Sequence, residues 1–253
     1  TPSETQQISK RKALTYDELE AANWPKQLVA AISNDDIETF LQLLPNMAHI
    51  NDLLPAIAEI TNRTPPDCTN RIPLEYVLSS PLYVACKFNR MNIIKLLLEG
   101  SVTVQVQSKD DNNTTFSKTY TLPQGFKRAN VNTICEINSA LSIAIRKSPN
   151  MDLVKYLVEE HKADIFKVSR DNYNALLSAA LYANLELVKY FVEKGVSPKS
   201  VDGDNDDILF FAIENGSLDI IKYVFEIYPE ILKDNEKRDF PYLNYACQLG
   251  FYD

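Results

Sequence analysis

The residues able to do chemistry are few and scattered. There are four cysteines, Cys68, Cys86, Cys135 and Cys247, and two histidines, His49 and His161. No two cysteines stand in C-x-x-C spacing and no cysteine has a histidine near it in sequence. The local patterns of a zinc site, or of a thiol nucleophile with its base, are therefore missing. Cys86 and Cys247 each follow an alanine in an L-x-x-A segment, a buried slot where cysteine acts as a small hydrophobe. Cys135 falls in an expected helix, Thr133 to Ile137, and Cys68 in a proline-rich loop. The run Asp202-Gly203-Asp204-Asn205-Asp206-Asp207 sets acids at alternate positions, as a calcium loop begins. An EF-hand loop needs glycine sixth and glutamate twelfth; Asp207 and Ile213 stand there, so the run reads as a turn. No G-x-x-x-x-G-K-[ST], G-x-G-x-x-G or H-E-x-x-H occurs. Lys109, Lys118, Lys127 and Arg128 read as solvated, or as contacts to an acidic partner. The expectation is a segment with no catalytic residues, no metal and no cofactor, and hence not itself an enzyme.

Composition agrees. The 253 residues are 45% hydrophobic and 24% charged, enough for a sizeable core without staples. The 34 acidic against 26 basic residues give a net charge of -8, which argues against a phosphate-backbone binder. No nucleic-acid or small-molecule partner is expected. No apolar run reaches the about 18 residues of a membrane span. Four scattered cysteines fit a reducing, cytoplasmic compartment.

Elements that would position a functional surface emerge from repetition. Five segments place alanine three residues after leucine: Leu82–Ala85, Leu141–Ala144, Leu176–Ala179, Leu209–Ala212 and Leu243–Ala246. From the second onward the alanines fall 35, 33 and 34 residues apart. A weaker copy is Leu28-Val29-Ala30-Ala31-Ile32. The first four are followed by apolar runs with one lysine third: Ile93–Leu98, Leu153–Val158, Leu187–Val192 and Ile220–Phe225. The early copy has Ile37–Leu44. Each run has the wide apolar face of a packed helix. The unit is a short helix, a tight turn and a longer antiparallel helix, which cannot bury its apolar face alone and must stack on its neighbours.

The period and the order L-x-x-A, short turn, [ILV]-[IV]-K-x-[LFV]-[LVF] resemble the ankyrin repeat, well over 80–253 and weakly over 28–45. Gly100 and Gly195 match the family's helix-ending glycine, Ser80-Pro81-Leu82-Tyr83 is nearest to its T-P-L-H, and Asp202 and Asn205 fall in its finger turn. The resemblance implies an all-α ankyrin solenoid whose concave face, made of fingers and first helices, grips another protein. The family's partner-facing positions fall on Lys87 and Phe88, Arg146 and Lys147, Leu181 and Tyr182, and Glu214 and Asn215, with Arg170 and Tyr173 on an adjoining finger. Exposed Phe88, Leu181 and Tyr182 would suit a hot spot.

Two stretches break the pattern. Between Ala31 and Ala85 a degenerate or lengthened repeat is expected in 46–79, with a helix over Asp52–Ile60 and a loop at Asn62–Asp67. Between Ala85 and Ala144, Ser101–Gln107 and Thr115–Leu122 alternate and are rich in β-branched residues, with the polar Lys109–Asn113 between them. This predicts a β-hairpin insert over 101–122. It reads as an elongated finger that leans on the helices or is ordered by a partner, and adds Phe116 and Tyr120 to one aromatic docking surface.

Residues 1–12 read as a mobile polar segment, 13–79 as N-terminal helical or degenerate repeats, and 80–253 as repeats with the insert. Thr15–Glu18 fits a capping box, and Trp24-Pro25 opens the first repeat helix. The final residues read as half a repeat, so the natural chain is expected to continue past Asp253. A rival reading makes the segment a targeting or regulatory arm. It resembles in style the irregular ankyrin effectors that intracellular bacteria deliver to a host cytoplasm or nucleus, with an enzymatic domain, for example cysteine-protease-like, outside it. A third is an arm of a membrane channel or cytoskeletal adaptor.

Overall fold

A computed structural model describes residues 24–46, 54–57, 76–107, 115–135, 138–147, 150–166, 168–169, 173–231 and 242–250. Helices come in pairs: α1 (Trp24–Ser33) with α2 (Ile37–Leu43), and α3 (Pro81–Lys87) with α4 (Met91–Glu99). Then α5 (Ala140–Lys147) pairs with α6 (Met151–Lys155), which continues as a π turn over Tyr156–Glu160. α7 (Ala175–Leu181) pairs with α8 (Leu185–Glu193), and α9 (Ile208–Glu214) with α10 (Leu218–Ile227). A last helix, α11 (Tyr242–Gln248), packs on α9. The chain divides into two compact units, residues 1–136 and 137–253.

Four first helices, α3, α5, α7 and α9, are each started by a capping side chain just before the helix. Ser80 Oγ accepts from the Tyr83 N–H, Ser139 Oγ from the Ser142 N–H, Asn174 Oδ1 from the Leu177 N–H, and Asp207 Oδ1 from the Leu209 and Phe210 N–H groups. All four capping residues are buried, so their polar atoms need these partners. The closing turns are equally uniform. Arg90, Asn184 and Ser217 each donate a backbone N–H to the carbonyl of the anchor alanine, Ala85, Ala179 and Ala212, at 2.9, 3.0 and 2.8 Å. This six-to-one closure needs a left-handed residue just before the donor. Asn89, Ala183 and Gly216 fill it at φ 55, 53 and 63°.

The anchor alanines carry the packing. Ala85, Ala144, Ala179 and Ala212 are all fully buried. In the second unit α7 packs against α5 on one side and α9 on the other, and in the first unit α3 packs on α1. Second helices contribute the larger core residues, among them Ile93, Ile94, Leu96 and Leu97 on α4 and Leu187, Val188 and Phe191 on α8.

The insert is an antiparallel hairpin. Two further strands precede it: β1 (Leu54–Ile57) pairs antiparallel with β2 (Tyr76–Ser79). The hairpin is β3 (Ser101–Gln107) with β4 (Thr115–Thr121), in a register that sets Val104 opposite Lys118. In the regular repeat the carbonyl of Phe191 accepts the Val196 N–H at 3.0 Å; the equivalent Leu97 carbonyl accepts the Ala129 N–H at 2.9 Å. The hairpin thus leaves at Gly100, which is left-handed at φ 86°, and the repeat resumes at Ala129. A smaller insertion occurs after α6, where His161-Lys162 replaces the single Gly195. The π turn absorbs it: the Ala163 N–H reaches Leu157 one residue further back than Val196 reaches Phe191, and Lys162 becomes left-handed at φ 57°.

Three expectations are corrected. Residues 54–57 form a strand, not part of a helix over 52–60. Pro55 disfavours a helical conformation for Leu54, and short apolar runs do not discriminate helix from strand by period. Ile134–Cys135 is likewise a strand, in place of a helix over 133–137. Cys247 is exposed while Cys86 is buried, because no described helix covers the outer side of α11. The hairpin leans on the helices, one of the two arrangements expected of it: β3 packs along α4, Val102 is buried, and Tyr120 reaches α2. The expected capping box at Thr15–Glu18 and the loop at Asn62–Asp67 lie outside the described residues.

Ala183 holds a left-handed backbone that costs an alanine about 1 kcal/mol. Ala183→Gly, as nature places at Gly216, should raise unfolding stability by roughly 0.5–1 kcal/mol in urea titration. Ala212→Leu should do the reverse by overpacking α9 against α7, at about 1–3 kcal/mol. A melting midpoint unchanged by Ala212→Leu would refute the close helix approach.

Candidate functional site

In the second unit, the residues just beyond each anchor alanine form a row along the C-terminal ends of the first helices. Arg146 on α5 is exposed, with its guanidinium carbon 5.8 Å from the ring centre of Tyr182, the residue that ends α7. This is the distance of a cation–π contact. Tyr182 is 39% exposed, so the ring is held by the arginine and still presents a free face. Asn215, which ends α9, donates from Nδ2 to the Leu181 carbonyl and to the Phe211 carbonyl, both at 2.9 Å. That amide satisfies a carbonyl left over at the end of α7 and fixes α9 beside it. Glu214 is exposed beside Asn215 and faces Tyr245 of α11, whose hydroxyl pKa is raised by burial and then by the Glu214 charge. Tyr245 stacks on Phe210 with centroids 4.7 Å apart.

The other expected positions divide. Leu181 is half-buried rather than exposed, because it lies beneath the row. Tyr173 is half-buried against the Phe211 ring at 5.4 Å, supporting α9 from the preceding finger. Lys147 ends α5, and its side chain and all of Arg170 lie outside the described residues. In the first unit Lys87 and Phe88 are both half-buried, with the Lys87 ammonium 5.6 Å from the Phe88 ring, so Phe88 offers less surface than its position suggested. On the hairpin Phe116 is 49% exposed. Tyr120 is committed elsewhere: its hydroxyl donates to Glu38 at 2.8 Å, and Lys118 pairs with the same carboxylate while lying 4.7 Å over the Tyr120 ring. Hydrogen bonding to Glu38 holds the Lys118 ammonium pKa above its usual value.

Sequence reasoning passed over three features. Phe166, on the finger after α6, is 63% exposed, and a lone aromatic in a loop carries no periodic signal. Asp207 closes a buried tie to α11, accepting from the Tyr242 hydroxyl. Glu159 accepts from Lys194 Nζ at 2.8 Å and from the Tyr190 hydroxyl at 3.1 Å, joining two neighbouring second helices; the recurring Lys-Tyr pair at 155–156 and 189–190 was the available clue. The acidic run forms a tight turn: Asp202 Oδ1 accepts from the Asp204 and Asp206 N–H groups, both at 2.9 Å. Burial pushes the Cys86 thiol pKa up, which keeps it protonated and unreactive. Among the described residues no helix is long and apolar enough to cross a membrane, and no three His, Cys, Asp or Glu side chains gather as a metal site would require.

Helix pairs with a small anchor residue, a left-handed closing turn and a finger define a helix-pair repeat protein. Residues 78–110 match the family model of the ankyrin repeat, and residues 113–202 a model of three ankyrin repeats. Ankyrin repeats are detected over these two stretches, and the pairs α1–α2 and α9–α10 follow the same helix-turn-helix plan outside them. Ankyrin repeats are in general non-enzymatic modules of protein–protein interaction. A comparison with curated proteins returns no match.

The Glu159 carboxylate has its pKa lowered by the hydrogen bond from Lys194 and then that from Tyr190. A lowered acid pKa means that the tie stabilises the fold at neutral pH and is lost as pH falls through the carboxylate range. Glu159→Gln should therefore melt slightly below wild type at pH 7, with the gap closing by about pH 3. A gap that persists undiminished in acid would show that the charge is not responsible.

Proposed function

We propose that this chain is a protein-binding module. In this reading the helix pairs of residues 138–248 stack as a stretch of ankyrin solenoid, and the row of first-helix ends is its gripping side. The observation that carries the reading is Tyr182. It is a large aromatic ring left partly open to solvent, oriented by Arg146 from one neighbouring helix, on a backbone that Asn215 braces from the other. Tyrosine and arginine are the residues most often found as interface anchors, and a ring already held in place loses little freedom on binding. The row mixes a cation, an aromatic and, at Glu214, an anion, so it suits a partner protein surface of mixed charge rather than a uniformly charged polymer.

The test is quantitative affinity capture with wild type, Tyr182→Ala and Arg146→Ala, each checked by thermal melting. Tyr182→Ala should cost about 2 kcal/mol of binding, roughly thirtyfold in affinity, with Arg146→Ala intermediate and both variants folded. Every captured partner being retained equally by both variants would overturn the assignment.

A further inference from the structure

The two faces of the hairpin are chemically distinct. The register places Val102, Val104 and Val106 with Tyr120, Lys118 and Phe116 on one face. The other carries Thr103, Gln105 and Gln107 with Thr119, Ser117 and Thr115. Side chains on this second face bond across the strands: Thr103 and Thr119 share a hydroxyl hydrogen bond at 2.9 Å, and Gln105 Nε2 donates to Ser117 Oγ at 2.9 Å. The Leu122 N–H donates to the Gly100 carbonyl at 2.9 Å, which fixes the phase of the ladder. Residues 102, 104 and 106 exchange backbone bonds with β4, while the N–H and C=O groups of Thr103, Gln105 and Gln107 point away from it. Among the described residues no backbone group pairs with that outer edge. β3 carries no charge, proline or glycine, so none of the usual devices that blunt a free edge is present on it.

That edge borders an open groove of about 310 Å³, lined by Asp35, Asp36, Ile37, Glu38, Asn92, Val104, Gln105 and Tyr120. Val104 and Gln105 direct their side chains to opposite faces, so the groove meets β3 along its backbone. Across it stand three carboxylates held in position. Asp35 accepts from Asn92 Nδ2 at 2.8 Å and the Ile93 N–H at 3.3 Å, and Asp36 from the Thr39 N–H at 3.0 Å. Glu38 is paired with Lys118, but among the described residues no cation pairs with Asp35 or Asp36.

We infer that this groove takes an extended basic peptide segment, which adds to the outer edge of β3 as a third strand and directs arginine or lysine side chains at Asp35, Asp36 and Glu38. Main-chain hydrogen bonds would supply affinity, and the carboxylates the choice of side chain. A second copy of this chain fits less well, since it would bring the same carboxylates to the same groove. This site lies in the first unit and does not depend on the row over α5, α7 and α9.

The experiment measures anisotropy of a labelled nine-residue peptide alternating arginine and threonine, titrated with the full chain at moderate salt. Two comparison peptides accompany it, the glutamate–threonine counterpart and the arginine peptide with alternate amides N-methylated, and the arginine peptide is also titrated at raised salt. Saturable binding by the first peptide is expected, weakened by salt and absent for the two comparison peptides. Gln105→Pro removes one outward N–H at a position an edge strand tolerates and should weaken binding at least about tenfold. In case that variant distorts the hairpin, amide exchange on the wild-type chain gives a second readout: the Thr103, Gln105 and Gln107 amides should become protected when the arginine peptide binds. Equal binding by the N-methylated or the glutamate peptide, no saturable binding up to about 1 mM, or protection that spares those three amides would each overturn the proposal.

Discussion

The second unit depends on how closely one first helix can approach the next. Alanine at 144, 179 and 212 removes every side-chain atom beyond Cβ from the contact, and all three are fully buried. The carbonyls of Ala179 and Ala212 also close the turn into the following helix. Close packing and turn closure therefore meet at one residue, and the two requirements fix where the chain emerges. The residues two and three places beyond the anchor must then surface at the same height in each repeat. Arg146, Tyr182 and Asn215 touch across repeats because the core beneath them is periodic, not because the row has its own framework.

The irregularities gather where the second helix gives way to the finger. A one-residue addition after α6 is taken up by a π turn, and a whole hairpin after α4 is taken up by Gly100. In both cases the carbonyl near the end of the second helix, Leu157 or Leu97, still finds the N–H with which the repeat resumes. The repeat keeps the bond and lets the loop length vary, as expected where intervening residues are exposed and closure entropy grows only slowly with length.

Much of this was legible in the sequence because it rests on spacing. The leucine–alanine anchors located α3, α5, α7, α9 and α11, and the lysine-bearing apolar runs located the partners of the first four, since burial on one face of a helix imposes a period. The hairpin was legible for the same reason: Ser101–Gln107 alternates strictly. What failed was local and aperiodic. The strand at Leu54–Ile57 is short, apolar and interrupted by proline, so its pattern fits helix and strand alike. Cys247 occupies the same slot as Cys86 but lacks a described neighbour to cover it. Among the candidate site residues, position predicted that Arg146, Tyr182 and Glu214 would be exposed. It could not predict that Leu181 and Phe88 would be half-covered or that Tyr120 would be tied to Glu38, because those outcomes depend on which neighbours a side chain finds.

The hydrogen bond from Ala129 to Leu97 has a consequence for how such a chain can change over generations. Everything between Gly100 and Ala129 is spliced into the repeat at a point where the two ends are already joined. What occupies that interval can be lengthened or exchanged while the Leu97–Ala129 bond still closes the repeat. The hairpin tip is then a place where new recognition can be acquired while the repeat keeps the bond that closes it.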